Sequence, residues 1–272
     1  MLSKCLKHEF RATYALVLTI LLAVVLFSGV TALTSHFLYT PNPPVVLELI
    51  AVFARLIFNL VVGAASIGIT LVCVLRYWRS FHSDEGYLTM TMPVSTHTHI
   101  FSKLIVAEVW GLLAVIVFIV ASFVSDVGIW QEFFYVAEEA EIATEVVTDE
   151  EVRQVFLFLL LGLLAIVISP AANMLMIYAA ISLGHSFQKY KKLLSVVFYF
   201  VFNQVIGVLY FVPILVLLVS AIENESIYYM DESYILGGIN IFMGVILVLS
   251  IVQGVAFYFM THHFLNKKLN LQ

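Results

Sequence analysis

Charge is what this chain has least of. Only 11% of its 272 residues are Asp, Glu, Lys or Arg, against about 25% in an average soluble protein. The net charge of −5 leaves no basic surface of the kind that neutralises phosphates, so nucleic-acid binding has no support. Cysteine is nearly absent. Cys5 and Cys73 are the two copies, one in the amino-terminal arm and one within an apolar run, which makes neither a disulfide framework nor a metal-ligand spacing. Motifs for phosphate and peptide chemistry are missing too. There is no Gly-x-x-x-x-Gly-Lys-Ser/Thr loop, no His-Glu-x-x-His, no Gly-x-Ser-x-Gly and no acidic pair in the middle of an apolar run. The eight histidines are scattered, with His97 and His99 beside one loop and His262-His263 at the end of a run. The chain is therefore expected to be no enzyme and to hold no cofactor or metal of its own.

What it has in abundance is apolar length. Hydrophobic residues make up 62%, above the roughly 45–50% of soluble domains. About 20 apolar residues cross a hydrocarbon core. Six runs reach that length, near 13–38, 45–76, 100–124, 153–183, 194–221 and 235–261. Each must satisfy its own backbone hydrogen bonds in lipid, which makes each a helix; the alternating strands of about ten residues that build a barrel do not occur. The expected fold is an all-α polytopic membrane protein, a single transmembrane domain over 1–272 with six transmembrane helices. The first run, about 26 residues long, exceeds the 7–15 of a signal-peptide core, and no small-residue cleavage site follows it. It is expected to remain as a span.

The few basic residues set an orientation. Lys4, Lys7 and Arg11 precede the first run; Arg76, Arg79 and Lys103 flank the loop after the second; Lys189, Lys191 and Lys192 follow the fourth; Lys267 and Lys268 follow the sixth. By the positive-inside rule both termini and the even-numbered connections face the cytoplasm. Glu48, the acidic stretch at 125–152, and Glu223, Glu225, Asp231 and Glu232 fall on the opposite side. Trp130, Phe133, Phe134 and Tyr135 open the acidic loop and suit an interfacial aromatic belt. Thr148-Asp-Glu-Glu151 fits a capping box for the fourth helix. Residues 1–12 place Leu2, Cys5, Leu6 and Phe10 on one helical face and Lys4, Lys7 and Arg11 on the other. That reads either as a short interfacial helix on an anionic leaflet or as a charged flank of the first span.

Inside the runs, polar residues mark helix faces. Ser169-Pro170 and Asn173 predict a kink in the fourth helix. Tyr199, Asn203, Gly207 and Tyr210 share a face of the fifth, and Asn240, Gly244, Gly254 and Tyr258 punctuate the sixth. Glu108, near the inner end of the third, is a proton-linked acid, a snorkelling carboxylate or a partner for a cytoplasmic base. The second run is the most ordered. Arg55, Asn59, Gly63, Ser66, Thr70, Cys73 and Tyr77 recur at steps of three and four, which confines them to about 80° of arc. Such a stripe either packs helix on helix through small and polar groups, or lines a conduit or a dimer seam. An ionisable Arg55 about ten residues inside a span is costly unless it faces protein or water, and Glu48, two turns away, is a candidate partner. Arg55, Asn59, Ser66 and Thr70 are the candidate pathway or seam residues.

Between the second and third runs lies Arg76-Tyr-Trp-Arg-Ser-Phe-His-Ser-Asp-Glu-Gly-Tyr-Leu-Thr-Met-Thr-Met-Pro-Val-Ser-Thr-His97. Ser83 can cap a short helix whose first turn carries Asp84 and Glu85 against the dipole. Pro93 ends it, and Ser95 or Thr96 can cap the next helix. The product is a compact knob with exposed Tyr, Leu and Met side chains, the residue types favoured where one protein fits another's cleft.

This segment, with Ser102-Lys-Leu104, resembles the loop between the second and third spans of ABC-2 type permeases, and most nearly the small six-span (type V exporter-like) permeases of Gram-positive bacteria. The likeness covers the whole plan of the chain but is specific over about thirty residues. It implies a membrane subunit of the bacterial cytoplasmic membrane, a homodimer coupled to two copies of a separately encoded ATPase that carries ATP and Mg. It also implies that 77–97 is the coupling element, with Ser83, Asp84, Glu85, Gly86, Tyr87 and Leu88 at the motor contact. Permeases of this kind export antimicrobial peptides, amphipathic toxin peptides such as phenol-soluble modulins, drugs or polysaccharides, and an amphipathic peptide is the cargo expected here. Two other classes stand beside it. One is a proton-coupled secondary transporter using Arg55 and Glu108, which should show an inverted repeat and broken midplane helices. The other is a peptide-sensing or immunity subunit that binds at the acidic outer face without transport.

Overall fold

The computed structural model describes residues 2–36, 44–83, 86, 91, 94–125, 135, 149–223 and 232–267. Six long helices account for almost all of them: α1 Leu2–Ser35, α2 Val45–His82, α3 Thr96–Ser125, α4 Asp149–His185, α5 Lys191–Glu223 and α6 Glu232–Lys267. Each expected span lies within one helix to within a few residues, and all six are long and apolar enough to cross a membrane. The acidic stretch at 125–152, with Thr148, lies for the most part outside the described residues.

Burial along the helices is inverted relative to a soluble protein. On α1 the buried positions are Glu9, Thr13, Val17, Leu21, Val24, Ser28, Thr31 and Ser35, a three-four stripe in which all but Val17, Leu21 and Val24 are polar. Its outward positions are Leu16, Leu22, Leu26 and Leu33, the last 75% exposed. Leucine outside and Ser/Thr inside is stable only where the surroundings are as apolar as leucine and the small polar residues serve as close-packing, hydrogen-bonding contacts. The chain is an all-α, multi-pass membrane protein.

The helices fall into two compact units, residues 3–76 with 105–146 and residues 77–104 with 147–272. In the first, α1, the body of α2 and the body of α3 share a core of Val24, Phe58, Ala65 and Ala121, flanked by Ile20, Val61, Val62 and Phe118. Polar ties fasten the same bundle. The Thr31 hydroxyl lies 2.9 Å from its own helix's Phe27 carbonyl and 3.4 Å from the Ala54 carbonyl of α2. Trp110 of α3 donates its indole N–H to the Thr13 hydroxyl at 2.9 Å and meets Phe10 edge-on at 5.7 Å. At the α2 end of this unit Arg76 Nε donates to the Glu9 carboxylate at 2.9 Å. Where the amphipathic pattern of 1–12 permits a separate interfacial helix, the backbone runs from Leu2 to Ser35 without a break. No Gly or Pro interrupts it before Gly29, and Glu9, one of its polar residues, is buried rather than solvated.

In the second unit α4 packs most extensively against α6, and α5 lies mainly against α4. Hydrogen bonds lace α4 to α6 along their length. Asn240 donates to the Gln154 backbone carbonyl at 2.9 Å and to its side-chain oxygen at 2.7 Å. The Gln154 amide also donates to Glu150, which, with Arg153, holds that carboxyl below its usual range. Deeper in, Tyr210 of α5 donates to Gln253 at 3.0 Å and meets Ser250 at 2.8 Å, and Gln253 donates to Asn173 at 3.2 Å. These bonds surround Pro170, which sits inside α4 and removes one backbone donor. The turn from α4 to α5 is so tight that a Cβ on Gly184 would overlap the Ser195 backbone nitrogen, and Tyr190 takes a positive φ of 57° to make it.

Candidate functional site

The polar stripe of α2 divides in two. Its inner part is packed: Cys73 is 6% exposed and Tyr77 fully buried. Its middle is not. Asn59, Gly63 and Ser66 are exposed, with Arg55 and Thr70 partly so. Away from Cys73 the helix packs instead through Ala51, Phe58, Ala65 and Ile69, a face turned roughly 90° from the centre of the stripe. Leu60 and Ile67, on the other side of the stripe, are 73% and 63% exposed and form the lipid-type surface. Within this unit Asn59, Gly63 and Ser66 are left uncovered, because Phe58 and Ala65 make the core contact with α1 and α3. Ser66 and Thr70 turn their hydroxyls back onto the Gly63 and Ser66 carbonyls at 2.8 and 2.9 Å, as hydroxyls do on helices in lipid. A Cβ on Gly63 would meet nothing within 4 Å. The expected Arg55–Glu48 pair does not form among the described residues; Glu48 is exposed, and seven residues separate the two by roughly 10 Å along the axis.

At the far end of α2 the structure describes Ser83 and Gly86 of the expected coupling residues; Asp84, Glu85, Tyr87 and Leu88 lie outside the described residues. The Ser83 hydroxyl donates to the Arg79 carbonyl at 2.5 Å, at the end of α2. Gly86 N–H bonds the Ser83 carbonyl at 2.8 Å, and a Cβ at Gly86 would stand 2.6 Å from the Phe81 carbonyl oxygen, so this turn admits only glycine. On the other side, Ser95 caps α3, its oxygen accepting the Thr98 N–H at 3.4 Å.

Both flanks of this segment are fastened by aromatic and histidine contacts that no short motif announces. Tyr77 stacks on Tyr178 at 4.0 Å and 6° and shares a 2.7 Å hydrogen bond with Ser182. Trp78 donates its indole N–H to His185 Nε2 at 3.0 Å, and His82 stacks on the His185 ring at 4.3 Å. Lys103 donates to Ser80 at 2.9 Å and lies over the Phe81 ring. Across the segment His97 stacks on His262 at 4.0 Å and bonds the Tyr258 hydroxyl, while Thr96 donates to Asn266 at 2.7 Å. Apart from the Lys103 contacts, sequence separations of more than 100 residues hide these pairs. Glu108 is partly buried and makes no hydrogen bond or ion pair with a described residue.

Comparison of the chain with protein-family models, with curated proteins and with solved structures gives no match.

Proposed function

We propose that this chain is the membrane-spanning permease subunit of an ATP-driven exporter of the ABC-2 type, working as a homodimer in a bacterial cytoplasmic membrane with both termini in the cytoplasm. The observation that carries the reading is the outward turn of Asn59, Gly63 and Ser66 on α2. A carboxamide at hydrocarbon depth is costly when it faces lipid, so the stripe calls for a second protomer, a water-filled pathway, or both. The helix that bears it is continuous to His82, at the root of the segment that resembles an ABC-2 coupling loop. Closure of two ATPase chains on bound ATP and Mg would push that segment, and α2 would carry the motion to the stripe, a rigid-body coupling of a common kind. Amides, hydroxyls and one guanidinium amid apolar neighbours suit an amphipathic peptide cargo.

Co-expression with the ATPase encoded beside its gene tests this. A stable complex is expected, with hydrolysis in liposomes stimulated by amphipathic peptides and uncoupled by Glu85→Ala or Tyr87→Ala. Absence of a complex would contradict the proposal. Glu108, without a hydrogen bond or ion pair to a described residue, favours one second reading, a proton-coupled secondary transporter. In that case the chain alone would acidify liposomes and Glu108→Gln would abolish the flux.

A further inference from the structure

We infer that the Trp78–His185 hydrogen bond is a proton-operated latch, fastening the end of α2 to the end of α4 only while His185 is neutral. The inference concerns this chain alone and does not rest on the exporter reading.

The donors and acceptors fix the tautomer. His185 Nδ1 lies 2.9 Å from the Ile181 carbonyl oxygen, which can only accept, so Nδ1 carries the hydrogen. The indole N–H of Trp78, 3.0 Å from Nε2, can only donate, so Nε2 presents its lone pair. Both nitrogens are committed, and the ring is neutral. A proton added to His185 lands on Nε2 and sets one N–H against another at hydrogen-bond distance. Trp78 has no acceptor to offer and no alternative role, so the contact must open. Ser195 Oγ, 3.3 Å from the ring, stands on the Nδ1 side and cannot help.

The surrounding groups sharpen the response. His82 of α2 stacks on the ring, and its Nε2 is buried without a partner among the described residues. From α5, Lys191 lies within electrostatic reach of both imidazoles, and Lys192 Nζ sits 5.0 Å from the Trp78 ring centre. His99 of α3 meets the far partner Phe81 edge-on. Burial first, and then the Lys191 and Lys192 charges, hold His185 below the ordinary imidazole range of about 6.5, so the latch is closed at neutral pH and opens on acidification. The second histidine stack provides a contrast. His262 Nε2 faces the Asn266 amide at 2.9 Å, and Asn266 faces Thr96. A carboxamide can rotate to exchange its oxygen and nitrogen, which lets it serve a protonated ring equally well. An indole cannot. The pH response thus belongs to the α2–α4 contact and not to the α3–α6 contact.

The test is the indole N–H spectrum of the full chain, labelled with 15N-tryptophan in lipid nanodiscs and titrated from pH 8 to pH 5, with the Trp78 signal assigned through Trp78→Phe. The Trp78 signal should lose its hydrogen-bonded downfield shift in a single one-proton transition. Trp110, whose acceptor is the non-titrating Thr13 hydroxyl, should stay in place. In His185→Gln, where the side-chain oxygen accepts without titrating, the transition should vanish. A second measurement needs no variant: in the wild-type chain the 15N-histidine signal of an unprotonated Nε2 should disappear with the same midpoint. A pH-independent Trp78 signal, a transition that survives in His185→Gln, or two different midpoints would overturn the latch.

Discussion

Replacing Glu9 with alanine should lower the thermal unfolding midpoint by roughly 10 °C, the equivalent of about 3–5 kcal/mol in a chain of this size. The Glu9 and Arg76 side chains are only 10% and 18% exposed, at an Nε–Oε2 distance of 2.9 Å, so the alanine leaves a guanidinium largely desolvated without its anion. His8 Nδ1, 3.3 Å from the Arg76 guanidinium, cannot substitute, because a neutral imidazole offers one acceptor and no charge. The double variant Glu9→Leu/Arg76→Met should recover most of the loss, since an ion pair removed together with its desolvation cost is often nearly neutral. Thermal denaturation of the three proteins in one detergent checks both parts. A midpoint in Glu9→Ala within 2 °C of wild type would mean that Arg76 finds another anion or water.

The second large effect is expected at Tyr77. Its side chain is fully buried, stacked on the equally buried Tyr178 and bonded to Ser182. Tyr77→Ala removes a ring from a closed site and should cost about 3–5 kcal/mol, whereas Tyr77→Phe keeps the stack and should cost about 1 kcal/mol for the lost hydrogen bond. Denaturation of the two variants side by side separates packing from polarity. Equal losses would show that the hydroxyl, not the stack, carries the stability of this contact.

The six spans are legible because lipid imposes a length and a helix on each apolar run, and no run competes with another reading. The α2 stripe is legible for the same kind of reason: three-four spacing places Arg55, Asn59, Ser66 and Thr70 together whatever the rest of the fold does. Spacing alone does not say which part of the stripe the chain covers. That depends on whether Phe58 and Ala65, roughly 100 to 120° from the stripe's centre, make the closer contact with α1 and α3, and they do. Glu9 among lysines and an arginine looks like one more interfacial charge until Arg76, 67 residues on, comes beside it. Ser83 precedes two acids and has the form of a helix cap, and its hydroxyl also bonds back to the Arg79 carbonyl of α2. Trp78 and His185 carry no local pattern at all. Their partnership is set by where two long helices end, a matter of helix length and crossing that no window of sequence contains.

The central claim, that the middle of the α2 stripe faces protein or water rather than lipid, is tested most directly by single cysteines at Asn59, Ser66 and Leu60 in a chain carrying Cys5→Ser and Cys73→Ala, reconstituted in liposomes. On this account Ser66→Cys and Asn59→Cys form disulfide-linked dimers on mild oxidation or react with a water-soluble maleimide, while Leu60→Cys, 73% exposed on the leucine-lined face, does neither. Equal silence at all three positions would place the stripe against lipid and contradict the account.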